Sequence, residues 1–412
     1  MKTWLTYLAA VFMALAATLV AGQSPIFLTA MTDLTVFLEQ TGFCILLLMV
    51  ICSFTSGIAS CRKDGRLHTV LISSVIWAFA STVLLSLSAV AIFRSFSAPF
   101  PVTSTAGSGI DISVFPGKSL VSLGLVEASP LGFFETVRAL MPAFLIVCFL
   151  VGYFLKPNVE VIRPAYVVMN SFSEVMFRMV RAITISSYLF VFVAASTFFS
   201  TLMQEGSIFV AGQFLTMLVI GCSAAIFIVL PLLFACTTKF RVNPYQTVYR
   251  SLAPVITGLF SGDILLTALI GQPVARHNLG CQKRIASTAI PFHAMFGRGG
   301  SAMIGTLCTL SLLAAVNPEA LTGRVEVLVA LVCALVSFCS ALSFGSEIFL
   351  IAVLALRLFG INLYGSELTM LALLPLVEGM GVMVDSLVAA MGASWSAQLL
   401  DVRVETPYKD IL

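Results

Sequence analysis

PFHAMFGRGGSAM (Pro291–Met303) lies inside a long apolar region, yet it carries a histidine, an arginine and three glycines. A helix surrounded by lipid gains nothing from Gly297, Gly299 and Gly300, because glycine is a weak helix former. Arg298 is more costly: a charge at mid-membrane costs about 2.5–3.5 kcal/mol on insertion scales unless it is paired. The stretch makes physical sense as an unwound turn held inside protein. Irregular backbone is tolerated at that depth only where it is buried in protein or lines a cavity.

The rest of the chain supports a membrane setting. Of 412 residues, 59% are hydrophobic and 10% charged, with a mean hydropathy of +1.06. Soluble domains hold roughly a quarter charged residues. A spanning helix needs about 20 apolar residues, so the length allows some eight spans plus shorter pieces. The net charge of +3 reflects lysines and arginines in loops and points to no nucleic-acid partner. Ten cysteines, at 44, 52, 61, 148, 222, 236, 281, 308, 333 and 339, form no CxxC pair and read as small core residues. His68, His277 and His293 are isolated, so no metal-ligand pattern appears. There is no nucleophile constellation and no phosphate loop, so an enzyme is not expected. The first residues, MKTWLTYLAAVFMALAATLVAG, have the layout of a signal peptide. Their apolar run is also long enough to span, and a first transmembrane helix is the simpler reading.

Apolar runs fall at about 3–22, 34–59, 68–95, 137–155, 166–203 and 208–238. Residues 96–130 are rich in Ser, Gly and Pro and read as an external loop. Orientation follows the short basic loops. SCRKDGR (60–66), the segments Lys156–Arg163, Lys239–Arg250 and Arg276–Arg284, and the tail with Arg403 and Lys409 are basic, whereas QEG (204–206) has no basic residue. Placing the basic loops in the cytoplasm puts both termini there. It also makes 243–280 enter and leave by the cytoplasmic face, and 318–362 by the opposite one. Both therefore read as re-entrant hairpins.

The two hairpins share a pattern. Phe260-Ser261-Gly262-Asp263 stands at the middle of the first and Phe344-Gly345-Ser346-Glu347 at the middle of the second. Each precedes a helix interrupted by glycines, GRGGS (297–301) and EGMGVMVD (378–385). One hairpin opens inward and the other outward, as in an inverted repeat with its solute site near the bilayer midplane.

With these residues in place, the chain resembles the glutamate transporter homologue family, the dicarboxylate/amino acid:cation symporters. The likeness runs nearly end to end. FTSGIASCRKDGRLHTVLISSVIWAFASTVLLSLSAVAIF is similar to the family's second and third helices, ALMPAFLIVCFLVGYFL to the fourth and FSEVMFRMVRAITISSYLFVF to the fifth. VNPYQTVYRSLAPVITGLFSGD is similar to the run into the first hairpin, and GMGVMVD (379–385) lies where relatives read Gly-Ile-Asp-Ala-Ile-Leu-Asp. The resemblance implies an all-α integral membrane protein with eight transmembrane helices, two re-entrant helical hairpins and inverted repeats. It implies an elevator-type mechanism and a homotrimer. Residues 1–67 and 131–207 would be scaffold, holding helices 1–2 and 4–5. Residues 68–95 (helix 3) and 208–412 would form the transport domain. The latter comprises helix 6, the first hairpin (243–280), helix 7 (282–316), the second hairpin (318–362) and helix 8 (364–400). The setting implied is a cell inner membrane.

The departures from the family pattern are as informative. Where relatives read Asn-Met-Asp-Gly-Thr, this chain has Gly297-Arg298-Gly299-Gly300-Ser301, so an asparagine and an aspartate that help bind sodium become Gly297 and Gly299. The aspartate that holds a substrate amino group is kept as Asp385. The arginine that reads an acidic side chain is Val388, the following asparagine is Gly392, and the last sodium-binding aspartate is Ser396. Sodium coupling is therefore in doubt, and a glutamate or aspartate in the family's pose is disfavoured.

What remains is a different charge set: Asp263, Glu347, Glu378 and Asp385, with Arg298 for them to converge on. Glu378 and Asp385 are seven residues apart and share a helix face. Arg298 and Asp385 are weighed as site residues against a purely structural ion pair. Asp263, Glu347 and Glu378 are weighed against a solvated interface. His293 is weighed as a proton carrier against a packed core histidine, the commoner role. Gly297, Gly299 and Ser301 serve backbone access better than chemistry.

The function expected is secondary active transport of a small organic solute, a dicarboxylate or amino acid. No resident cofactor is expected, only Na+ or H+ as coupling ion, and the partners are the solute, the lipid bilayer and sister copies. Proton-coupled or uncoupled transport, and a sensor or channel on the same fold, are the alternatives. An intramembrane aspartyl protease would need Asp263 and Asp385 as its pair, but such enzymes want Gly-x-Gly-Asp, and Phe260 stands two before Gly262.

Overall fold

The computed structural model describes residues 2–22, 24–100, 140–204, 212–339, 348, 352, 367–404 and 412. Among them all regular structure is helical. We number the helices α1 (Thr3–Ala21), α2 (Pro25–Lys63), α3 (Leu67–Phe96), α4 (Met141–Phe154), α5 (Arg163–Ser186), α6 (Tyr188–Gln204), α7 (Gly212–Thr237), α8 (Pro244–Arg250), α9 (Leu252–Ser261), α10 (Ile264–His277), α11 (Lys283–Phe296), α12 (Gly299–Val316), α13 (Gly323–Cys339) and α14 (Glu367–Leu399). The loop expected at 96–130 lies outside the described residues from 101 onward, as does the middle of the second expected hairpin. Glu347 and Arg357 fall there.

Six segments are long and apolar enough to cross a membrane, and a seventh joins them if α5 and α6, bent by 51°, make one span. This is a multi-pass membrane protein. The described part of α4 has 14 residues, short of the roughly 20 that a span requires. The central spans are α11–α12, whose window is 83% buried, and α14, at 72%; α1 is only 22% buried. Large apolar side chains such as Phe12, Met13, Leu19 and Val20 on α1 therefore face outward, as a lipid solvent permits.

Local sequence sets the breaks. Pro25 and Pro244 open α2 and α8 at positions where a missing N–H costs nothing. Asn243 caps α8, its side-chain oxygen accepting from the N–H groups of Tyr245 and Gln246. One π-turn interrupts α2 at Val50–Phe54, and another interrupts α7 at Ala225–Val229. Gly262, at φ 61, ends α9 in the left-handed region that glycine adopts without strain. The next residue, Asp263, caps α10 by accepting from Leu265 N–H at 2.7 Å. The first hairpin is thus α9–turn–α10, with its tip at Gly262–Asp263.

Packing groups the helices in two sets. Helix α1 lies on α6, where Thr18 donates to the Ser196 carbonyl at 3.5 Å, and its Tyr7 donates to the Thr184 carbonyl near the end of α5 at 2.5 Å. Helix α2 joins them through Thr35 and Thr197, 3.0 Å apart, and meets α5 through Ser53 and Ser173, also 3.0 Å apart. In the other set, α3 packs on α11, α12, α13 and α14, and α9 on α14. Helices α10 and α11 touch both sets, resting on α2 and, for α10, on α5.

One expectation fails. EGMGVMVD (378–385) does not interrupt its helix, because α14 runs unbroken from Glu367 to Leu399. Its glycines serve close packing instead. A Cβ at Gly379 would strike the Leu259 carbonyl of α9, and one at Gly381 would strike Ile348. Gly258 of α9 returns the contact: a Cβ there would meet the backbone of Val382 and Met383 at 3.1–3.2 Å.

Candidate functional site

The segment Pro291–Met303 is unwound where glycine and arginine meet. Helix α11 ends at Phe296, Gly297 (φ −86, ψ 57) and Arg298 (φ −94, ψ 38) leave the helical region, and α12 starts at Gly299. The break frees the first N–H groups of α12, which together carry partial positive charge. Asp385, on the face of α14 opposite, meets them. Its Oδ1 accepts from Gly300 N–H at 2.6 Å and from Ser301 N–H at 3.3 Å. Its Oδ2 accepts from Ser301 N–H at 3.3 Å and from the Ser301 hydroxyl at 2.5 Å. Asp385 thus caps a helix from a distance of 85 residues, fully buried.

This approach depends on Gly300. A Cβ there would meet the Gly381 carbonyl, Val384 Cβ at 2.6 Å and Asp385 N at 2.9 Å. The two helices are in backbone contact at the carboxylate. Arg298 is 1% exposed, and its charge acts on Asp385 through space. Its carbonyl accepts from Ser337 of α13 at 3.0 Å, which ties the unwound turn to the first leg of the second expected hairpin. The centre of the site is therefore a broken-helix N-terminus, one buried carboxylate and one buried guanidinium.

The other expected residues are placed as follows. Asp263 is a helix cap at the first hairpin's tip, and a Cβ added to Gly262 beside it would meet Glu378 Cβ at 3.7 Å and Gly379 N at 3.8 Å. The tip therefore meets α14 seven residues before Asp385, roughly 10 Å along the helix axis. Glu378 and Asp263, both partly exposed, belong to that level, while Arg298 and Asp385 form a deeper one. A void of about 10 Å³, lined by Thr267, Ser386, Ile290 and their neighbours, separates α10 from α11 and α14 and has room for a single water. Val388 is fully buried, and its carbonyl accepts from the Trp77 indole N–H at 2.9 Å.

Space for a side chain is filled at two of the positions that depart from the family pattern. A Cβ at Gly299 would meet Leu85 Cδ1 at 2.7 Å and the Ser81 carbonyl at 3.3 Å. One at Gly392 would meet both Trp77 Cδ1 and His293 Nε2 at 2.5 Å. Ser396 is hydrogen-bonded to Ser73, Oγ to Oγ 2.9 Å. Neither Gly299 nor Gly392 can take a larger side chain by a small movement, and Ser396 presents a paired hydroxyl rather than a carboxylate. The residues present do not fit a sodium cage built from side chains. Among the described residues no group of three or more His, Cys, Asp or Glu is arranged to hold a metal.

Sequence reasoning missed the contribution of α3. Trp77, Ser73, Ser81 and Leu85 all reach the site from that helix. Their one signal was a row of small polar residues and a tryptophan inside an apolar span. Ser337 of α13 was missed as well, and nothing near it in sequence marks it.

A family model described as the sodium:dicarboxylate symporter family matches residues 4–400. No curated protein matches the chain.

Proposed function

Because the chain belongs to the sodium:dicarboxylate symporter family, we propose that it is a secondary transporter carrying a small organic solute with a carboxylate, a dicarboxylate or an amino acid, by an elevator step. The observation that carries this reading is the buried pair of Asp385 and Arg298 at the start of α12. Exposed backbone N–H groups at a helix N-terminus are an anion site. Asp385 fills it in the structure. A solute carboxylate entering the site competes for Arg298 and for the N–H groups of Gly300 and Ser301, and a solute amino group pairs with Asp385. Val388 and Gly392 stand where relatives carry an arginine and an asparagine, so the groups that would read glutamate or aspartate are missing and another solute fits better.

The moving part is α3 and α7–α14, and the static scaffold α1, α2 and α4–α6. Two re-entrant hairpins, eight transmembrane helices and a homotrimer complete the arrangement, in an inner membrane with both termini cytoplasmic. The packing of α10 and α11 against α2 and α5 supports a sliding boundary there.

A second reading, transport without sodium, is favoured by the filled position at Gly299 and the paired hydroxyl of Ser396. One experiment addresses both. Purified protein in liposomes is offered radiolabelled carboxylates and amino acids under a sodium gradient, a proton gradient or none. Accumulation without sodium is expected. Accumulation that requires sodium sinks the second reading, and no uptake of any solute under all three conditions sinks the first.

A further inference from the structure

Where the end of α2 and the first turns of α5 meet the start of α11, a cleft of about 250 Å³ opens that the solute site does not use. Ser60 of α2, Asn170 of α5, and Gln282, Lys283, Arg284 and Ser287 at the start of α11 line it. The hydrogen bonds among the amides and cations are one-sided. Lys283 Nζ donates at 3.3 Å to the side-chain oxygen of Asn170 and to its main-chain carbonyl. Arg284 Nε donates at 2.9 Å to the side-chain oxygen of Gln282. Lysine and arginine only donate, so each amide is fixed with its oxygen towards the cation and its NH2 free of it. Among the described residues neither NH2 group has an acceptor, and Gln282 gives the first N–H groups of α11 no side-chain cap.

The nearby carboxylates are taken up as well. Asp64 pairs with Arg284, and Glu174 is shared by Arg276 and Lys283 at 3.3 Å and by Arg178 at 3.9 Å. Arg62 and Lys63 stand at the end of α2, so this corner keeps an excess of positive charge. The amide and carboxylate oxygens are spent on cations, while N–H donors and positive charge remain. An anion with several oxygens satisfies such a wall, and charge-assisted bonds to it are the strong kind.

We propose that this cleft is a phosphate site. It takes the phosphate group of an anionic lipid headgroup, or inorganic phosphate, against Arg284, Lys283 and the NH2 groups of Gln282 and Asn170. The volume equals the share of about eight waters in the liquid. That admits a phosphate group and part of what it is esterified to, and no folded partner. Basic pockets between helices at a membrane surface hold headgroups in this way. A ligand there touches α2, α5 and α11 together. In the arrangement proposed above α11 moves and α2 and α5 do not, so an occupied cleft braces that boundary. This consequence rests on the transport reading, and the binding does not.

The test therefore needs no transport. A ligand that binds the folded state raises the melting temperature in a saturable way. The full-length protein in detergent micelles is titrated with dioctanoyl phosphatidylglycerol, with dioctanoyl phosphatidylcholine, and with potassium phosphate at constant ionic strength. Stabilisation by phosphatidylglycerol alone identifies a lipid headgroup, and stabilisation by phosphate as well identifies a free anion. Phosphatidylcholine, whose phosphate is neutralised by its own choline, is expected to do neither. Gln282→Glu and Asn170→Asp keep the oxygens that Arg284 and Lys283 use but replace an NH2 donor by an acceptor. Each is expected to raise the half-saturating concentration about tenfold, the loss of one hydrogen bond to a charged group. Gln246→Glu, the same change on α8 outside the cleft, is expected to bind as the wild type does. No stabilisation of the wild type by either anion overturns the proposal, as does stabilisation that phosphatidylcholine matches. An unaltered half-saturating concentration in folded Gln282→Glu or Asn170→Asp protein also overturns it. Failure of liposome uptake while this binding persists counts against the transport reading alone.

Discussion

The carboxylate of Asp385 receives the N–H of Gly300 at 2.6 Å, so the first turn of α12 is capped by a residue 85 positions away on α14. The contact fixes the break between α11 and α12 and neutralises a buried arginine. Asp385→Asn keeps the shape but removes the charge facing the helix N-terminus and Arg298. Removing one partner of a buried, hydrogen-bonded charge pair costs about 3–5 kcal/mol. We expect a clear loss of thermal stability in detergent, with no solute-induced stabilisation left. A variant whose melting temperature and solute response equal those of the wild type excludes this role.

Gly300→Ala tests the same contact from the other side. The new Cβ meets backbone atoms of Gly381 and Asp385, which cannot rotate away. Overpacking of this kind costs typically 1–3 kcal/mol, and here it also lifts Asp385 off its donors. Gly271→Ala on α10 is the control, since its Cβ would meet only Ile290 Cγ2 at an ordinary 3.6 Å. Thermal unfolding of the two variants should separate them by several degrees. Equal melting temperatures mean that the α12–α14 contact is slack.

Much of this was legible in the sequence. Gly297-Arg298 signalled the break because glycine and charge have no use in a lipid-facing helix. Phe-Ser-Gly-Asp at 260–263 signalled a turn, because Gly262 supplies the positive φ and Asp263 the cap. The glycines of 378–385 misled, because a glycine that breaks a helix and one that lets two helices touch look alike in one dimension. Only a partner, here Leu259 and Ser301, distinguishes them. The packing of His293 against Gly392 was hidden for the same reason. It is a contact across 99 residues that trades one side chain's volume for another's, and such exchanges leave no local pattern.

Ion pairs span the two helix sets at one end of the molecule. Arg284 of α11 pairs with Asp64 at the end of α2, while Arg276 and Lys283 each reach Glu174 of α5 at 3.3 Å. A cleft of about 250 Å³ lined by Ser56, Ser60, Asn170, Gln282, Lys283, Arg284 and Ser287 opens beside them. All five groups are partly solvated, so each pair contributes no more than about 1 kcal/mol. If α10 and α11 slide past α2 and α5, these pairs must break. Asp64→Asn and Glu174→Gln are then expected to melt within a degree or two of the wild type but to raise the initial uptake rate about threefold, as relief of roughly 0.7 kcal/mol gives. Raising the salt concentration should speed the wild type and leave the variants nearly unchanged. Rates unaffected by either substitution would place the sliding boundary elsewhere.

His277, half-buried at the end of α10, gives the stability a defined acid dependence. Burial first, and then the nearby charges of Arg181 and Arg276, lower its pKa from 6.5 to about 4, against a smaller opposing pull from Glu174. The folded protein holds it neutral where the unfolded chain would already bind a proton. Stability from this group is therefore complete above about pH 6.5. It falls as the pH drops from there towards 4, and levels off below that, because the unfolded state takes up the extra proton. His277→Gln should flatten that part of the curve of melting temperature against pH. A variant that keeps the full slope between pH 6.5 and 4 assigns the acid sensitivity to another group.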